Sequence, residues 1–381
     1  MGPRPRLSEQ DSFPGRTRLG DPMDLGIFSM PLHPPEKPLA QGFEEDLAWF
    51  AELEEKGFSE LWAGEHITSQ WENYPAGDLF LAALARETKT MRLGTGVALL
   101  PLHNPGAVAL RIAFLDQLSG GRVNFGVGPG GLTTDRPFLD VEVDRGVYID
   151  RFRESLEMIL TIWTSEAPYD LDGKYWRVNL PAQQQEIGLG WAMPPLQKPH
   201  PPIMIPGVSY RSSSIAMAGK RGWRCLSTNF LPNDDLIGQW EAYSEGARSA
   251  GREPDPSLWG ITRDVFVADT DAEAERFMLE CGPAASYTRY MFDLTKGSHN
   301  FVHFKGSNPD RPDSDITPKF LFDNTWIAGS PQTVADKINS IRDRTAPFGQ
   351  LVMIAHDIDD FAPWRHSIDL LTNQVMPLIE S

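Results

Sequence analysis

Residues 122–131 read RVNFGVGPGG, and Gly126, Gly128 and Gly131 fit the spacing G-x-G-x-x-G behind a short apolar strand. That spacing serves dinucleotide binding when a helix starts inside the loop and turns its N-terminus to a pyrophosphate. Here Pro129, Pro137 and a polar run hold the loop open until a helix that the pattern starts near Val147. The match also falls on the fourth strand-like segment of the chain, not the first. The confirming context is missing, and the Rossmann reading is rejected. Two readings stay open: a tight turn, or a strand end where backbone must approach a ligand closely.

Three further stretches carry chemistry. Glu65 and His66 follow ELWAG, and a histidine suits proton transfer near neutral pH. A solitary histidine is as readily a core or surface residue. His356 and Asp357 follow QLVMIA and raise the same two readings. In GVSYRSSS (207–214), Tyr210, Arg211 and Ser212 to Ser214 stand where a helix begins. Free N–H groups, hydroxyls and a guanidinium together make a phosphate cradle, although an ordinary helix cap uses the same serines. The eight histidines do not cluster at metal-ligand spacing, so no metal is expected. Cys225 and Cys281 fit neither redox nor metal spacing. They read as small apolar fillers in a chain kept in a reducing cytosol.

The elements that must position these residues alternate almost from end to end. Strand-like runs stand at 23–28, 59–64, 91–100, 122–128, 202–207, 223–228, 258–268 and 350–355. Between most of them lie helical stretches, such as FEEDLAWFAELEEKG with Phe43, Leu47, Phe50 and Leu53 on one face. Continuous apolar strands alternating with helices mean a parallel sheet covered on both sides. Eight units predict an α/β fold, a closed (β/α)8 TIM barrel with insertions at its C-terminal face. A doubly wound open sheet is the alternative. The pattern pauses at 166–201, where YDLDGKYWRV predicts a hairpin, and at the long insert 282–320.

The chain has 381 residues, a net charge of −17 and 41% hydrophobic residues. No basic patch is present to meet nucleic acid. No apolar run approaches the roughly 20 residues needed to span a bilayer. Residues 1–22 lack the apolar stretch of a signal peptide and are expected to form a disordered extension. Met23 is a candidate start, and 23–381 is expected to be one barrel domain.

The segments GFSELWAGEH, TKTMRLGTGVALLPLHNP, LDQLSGGRVNFGVGPG and WIAGSPQTVADKI closely resemble the bacterial luciferase-like flavin-dependent monooxygenase family. SMPLHPPEKP and IAHDIDD are most similar to its limonene-monooxygenase-like branch. The resemblance implies a barrel that takes reduced FMN from a separate reductase and uses O2 to oxygenate a small apolar terpene, ketone or hydrocarbon. It implies that His66 steadies or protonates the oxygenated flavin. It places a cis peptide at Gly96–Val97 against the flavin ring, with Asn104 and Gly128 beside the ring. Ser209, Tyr210, Arg211, Ser213 and Ser214 match the stretch that holds the phosphate. The insert 282–320 is expected over the mouth, with Tyr290 and Phe292, and His356 from the last strand, on the substrate side. Packing of the same aromatics against the barrel is the plainer reading. A homodimer and a cytoplasmic enzyme are further implications.

Two departures stand out. Luciferase has a second histidine where this chain has Ile67, and Cys-Arg where it has Gly128-Pro129. Light emission is therefore not expected, and Arg211 and the serines must carry the phosphate. A deazaflavin-dependent reductase or dehydrogenase of the same fold is the alternative, and a non-catalytic flavin-binding protein is a third reading.

Overall fold

The computed structural model describes residues 23–141, 144–357 and 360–379. The expected extension 1–22 lies outside them. Eight strands form the barrel: β1 Asp24–Ser29, β2 Glu60–Ala63, β3 Arg92–Thr95, β4 Val123–Gly128, β5 Ile203–Gly207, β6 Arg224–Ser227, β7 Trp259–Arg263 and β8 Gln350–Ile354. Each pairs in parallel with the next, and β8 returns to β1, with Leu351 opposite Leu25. The sheet is closed, and the open-sheet alternative falls. The helices that follow are α1 Leu39–Glu55, α2 Gly77–Glu87, α3 Pro105–Ser119, α4 Arg145–Thr164, α5 Ser213–Arg221, α6 Leu236–Ser249, α7 Pro331–Arg344 and α8 Ala362–Leu370.

Alternate residues of a strand face the barrel axis, so the interior is built in layers. The lowest layer is polar. Buried Glu60 accepts from Arg224 at 2.7 and 2.9 Å, from Asn124 Nδ2 at 2.6 Å and from the Trp62 indole at 3.2 Å. Burial disfavours the Arg224 charge, but Glu60 more than reverses this and raises its pKa. Above it lies an apolar floor of Trp62, Met204, Leu226 and Val352, with Phe28 and Val97 against it. Gly94 faces the Trp62 indole so closely that any Cβ there would overlap the ring.

Two expectations change in detail. The run 258–268 is not one strand. It leaves the barrel at Arg263, and Val265–Val267 pairs instead with Ile327–Gly329. The break follows from Arg263, whose buried guanidinium reaches the Thr228, Leu231 and Thr262 carbonyls and Asn233. The run 91–100 likewise ends as a barrel strand at Thr95, and Ala98–Leu99 pairs separately with the end of β4. The hairpin appears at Tyr169–Asp172 and Arg177–Leu180. The insert after Val267 is largely helical, and its aromatics Tyr287, Phe292, Phe301 and Phe304 pack edge to face.

Candidate active site

β2 delivers His66 to the mouth two residues beyond Gly64. Its backbone N–H donates to the Tyr74 carbonyl at 3.0 Å, which fixes the turn. Its ring lies between two carboxylates: Nε2 is 3.6 Å from Glu72 Oε2, and Nδ1 is 3.6 Å from Asp135 Oδ2. Asp135 opens a short helical turn in the loop after β4. Its other oxygen accepts from the Thr68 N–H at 2.9 Å and the Thr68 hydroxyl at 2.6 Å. Burial alone would lower the pKa of His66, but Glu72, Asp135 and Glu65 together raise it. Burial pushes Asp135 up, and the contacts with His66 and Thr68 bring it below the usual carboxylate range. The arrangement favours an imidazolium held by two carboxylates.

The Gly96–Val97 peptide is cis. A Cβ on Gly96 would press on the Phe28 ring at 2.8 Å, and one on Gly128 would lie 2.7 Å from Val97 Cγ2. Glycine at these two positions makes room for the Phe28 ring and the Val97 side chain. Asn104 is exposed and caps α3, its side-chain oxygen accepting from the Ala107 N–H at 3.2 Å. Its neighbour His103 turns to Glu65 instead, with Nε2 at 2.6 Å from Oε1, while Glu65 Oε2 accepts from the Leu99 N–H at 3.0 Å.

At the end of β5, Ser212 caps α5 and shares a hydrogen bond with Ser214 at 2.8 Å. Ser213 is exposed at the first turn. The Ser209 carbonyl accepts from buried Gln239 at 2.8 Å, and Tyr210 lies against Gly238, where any side chain would collide with its ring. Arg211 is turned to α6: it meets Glu241 at 2.9 Å and Glu245 at 2.7 Å, all three exposed. The loop is a helix cap at Ser212, with the Arg211 guanidinium already paired.

The insert and the end of β8 place the three substrate-side candidates differently. Tyr290 stacks on Trp71 with ring centroids 5.3 Å apart, and its hydroxyl reaches Ser69 and Glu72. Phe292 is half-buried in the lid's own aromatic cluster. His356 is buried with both ring nitrogens engaged, by Asp264 at 2.6 Å and by Ser286 at 3.0 Å.

The luciferase-like monooxygenase family model matches residues 23–346. The chain belongs to the luciferase-like monooxygenase family. It is 31% identical to the 2,5-diketocamphane 1,2-monooxygenase 1 of Pseudomonas putida over 94% of this chain and 99% of that protein. It is 26% identical to the limonene 1,2-monooxygenase of Rhodococcus erythropolis over 93% and 92%. Among solved structures, the oxygenating constituent of the Pseudomonas putida 3,6-diketocamphane monooxygenase, a type II Baeyer-Villiger monooxygenase in complex with FMN, superposes with a TM-score of 0.86. That match has 32% identity over 94% of this chain and all of that one.

This luciferase-like monooxygenase holds site residues that sequence reading missed. Glu72 and Asp135 stand in polar loops without a motif, and only the fold brings them to His66. Arg136 and Arg151 lie over the rings of Tyr148 and Trp176, each with a buried Nε lacking a partner among the described residues. Asp264, the anchor of His356, is hidden inside an apolar run. A pattern signal existed for Asp135 alone: an acidic residue opening a short turn, TTDRPF, within a long loop.

Proposed function

We propose that the protein is the oxygenating component of a two-component monooxygenase, taking reduced FMN from a separate reductase and O2 to oxygenate a small apolar terpene-type ketone or hydrocarbon. The observation that carries this reading is the superposition, at a TM-score of 0.86 and 32% identity, on the FMN complex of the Pseudomonas putida 3,6-diketocamphane monooxygenase constituent, joined to the carboxylate-flanked His66 beyond the end of β2. Ser209, Tyr210, Ser213, Ser214 and the N–H groups of α5 would hold the flavin phosphate, with Arg211 joining once it leaves Glu241 and Glu245. Reduced FMN supplies the electrons that activate O2. His66 keeps a proton at the mouth and stands where it steadies developing negative charge. Tyr290 and Phe292 cover the mouth, exclude water and offer apolar surface to the substrate. His356 fixes the lid's footing through Asp264 and Ser286 and faces the substrate side from there. The P. putida relatives support an alicyclic terpene ketone first among the substrates, and the R. erythropolis relative supports an alicyclic terpene hydrocarbon second. The test is anaerobic quenching of the protein's 11 tryptophans by reduced FMN and by a reduced deazaflavin. Preferential quenching by reduced FMN supports the reading; preference for the deazaflavin replaces it with hydride transfer.

The protein is further proposed to work as a homodimer in the cytoplasm. Leu79, Leu110, Phe114 and Leu118 stand 71, 43, 53 and 52% exposed on the neighbouring helices α2 and α3. Such a patch favours a protein partner over water, and a second copy would bury it. Sedimentation analysis at micromolar concentration decides this; a monomer rejects it.

A further inference from the structure

The lid and His66 share one oxygen atom. Tyr290 donates to Glu72 Oε2 at 2.7 Å, and that same oxygen lies 3.6 Å from His66 Nε2. Glu72 is buried, 3% exposed, and its loop is preset by its own N–H donating to Ser69 Oγ at 2.9 Å. Ser69 Oγ in turn lies 2.8 Å from the Tyr290 hydroxyl, and the Tyr290 ring stacks on Trp71 with 14° between planes. Three consecutive contacts therefore seat one lid residue on the loop that carries Glu72. The other ionised groups facing His66 are Glu65 from its own strand end and Asp135 from the loop after β4. Neither touches the lid residue through a hydrogen bond among the described residues.

An ionised carboxylate only accepts. With Tyr290 seated, Oε2 divides its charge between a phenol and an imidazolium. With Tyr290 gone, Oε2 serves His66 alone and binds its proton more strongly. We propose that Glu72 is a positioning residue that couples lid closure to His66, so that seating Tyr290 loosens the proton His66 holds at Nε2. The proposal rests on the assignment of His66 as the proton-holding residue of the site. It makes the closed lid the state in which His66 gives up its proton most readily, and couples substrate coverage to proton supply.

The test is an NMR titration of the His66 ring proton in flavin-free protein, which needs no turnover, combined with steady-state kinetics. Tyr290→Phe keeps the stack on Trp71 and removes the hydroxyl. It is expected to raise the His66 midpoint by about half a pH unit, roughly a threefold gain in proton affinity. Glu72→Gln is expected to lower the midpoint by about one unit. In the Glu72→Gln background, Tyr290→Phe is expected to shift it no further. The alkaline limb of the kcat profile should move with each midpoint while KM changes less than threefold, and Glu72→Asp should restore part of the shift. If Glu72→Gln does not fold, Glu72→Asp with and without Tyr290→Phe gives the same comparison. A Tyr290→Phe midpoint equal to wild type, or an equal shift in both backgrounds, overturns the coupling. Unchanged product yield in His66→Ala overturns the role of His66 alone and leaves the titration comparison standing, so the two failures are distinguishable.

Discussion

Asp135 Oδ2 lies 3.6 Å from His66 Nδ1, on the side of the ring opposite Glu72. The imidazole is thus flanked at both nitrogens by carboxylates drawn from two different loops. Its pKa is raised above the ordinary value near 6.5. A raised histidine stabilises the fold fully below about pH 6.5, and that stability is lost as pH rises through the higher folded value. Activity that needs the imidazolium should fall over the same alkaline window. Asp135 works the other way: its contribution is present above about pH 4 and lost as pH falls through its lowered value. His66→Gln is therefore expected to flatten the alkaline limb of product yield against pH. An unchanged limb would assign it to another group.

His66→Ala should lower product yield by about 10²- to 10⁴-fold, the usual loss for an acid–base residue. Binding of oxidised FMN should stay within about twofold, because the phosphate is assigned to the start of α5 and not to His66. Fluorescence titration and product analysis on one preparation measure both. Unchanged product yield removes His66 from the mechanism.

Gly128 tests the assignment of the end of β4 to the flavin. Its Cβ would lie 2.7 Å from Val97 Cγ2, so any side chain there displaces Val97. Gly128→Leu should weaken FMN binding at least tenfold, about 1.4 kcal/mol, with the circular dichroism spectrum unchanged. A wild-type Kd in a folded variant would move the ring elsewhere.

Arg211 tests the phosphate site. Its guanidinium is exposed and already balanced by Glu241 and Glu245. Solvent screens exposed pairs of this kind, so they hold the guanidinium only weakly. Arg211→Ala should therefore reduce the preference for FMN over riboflavin by less than about fivefold, while Glu245→Gln, which releases the guanidinium, should increase it. The ratio of the two dissociation constants at low salt is the readout. No change in either variant would take Arg211 out of the site.

Glu54 tests how α1 is fastened to the entry of β3. Its carboxylate accepts from the Lys89, Thr90 and Met91 N–H groups at 2.6–3.0 Å. Burial pushes its pKa up, but these donors bring it down to about 2. Its contribution is present above about pH 4.5 and lost as pH falls through about 2. Glu54→Gln should lower the melting temperature at pH 7, and the gap to wild type should narrow below pH 4. An equal gap at pH 7 and pH 3 contradicts this.

Much of the barrel was legible because each strand is an apolar run bounded by Gly, Pro or a polar turn. The misreadings fall where one run contains two strands. Nothing local to LWGITRDVFVA says that the Arg263 guanidinium will be claimed by the loop after β6 and turn the chain out of the barrel. The glycines and His66 could be read because they sit at strand ends, where spacing marks the mouth. Asp135 and Asp264 could not, because their partners, His66 and His356, lie far along the chain, and Glu72 could not because only the fold of its loop turns it back to His66. Asn104 and Arg211 illustrate the converse. Each has the residue type for a ligand contact, yet the local backbone and α6 engage them first.

The central claim is that this barrel transfers one oxygen atom from O2 to an apolar substrate. The most direct measurement is mass spectrometry of products from a panel of alicyclic terpene ketones, incubated with the protein, enzymatically reduced FMN and 18O2. The account predicts a product heavier by one 18O atom that disappears with His66→Ala. Products lacking the label, or reduced products formed equally well without O2, would contradict it.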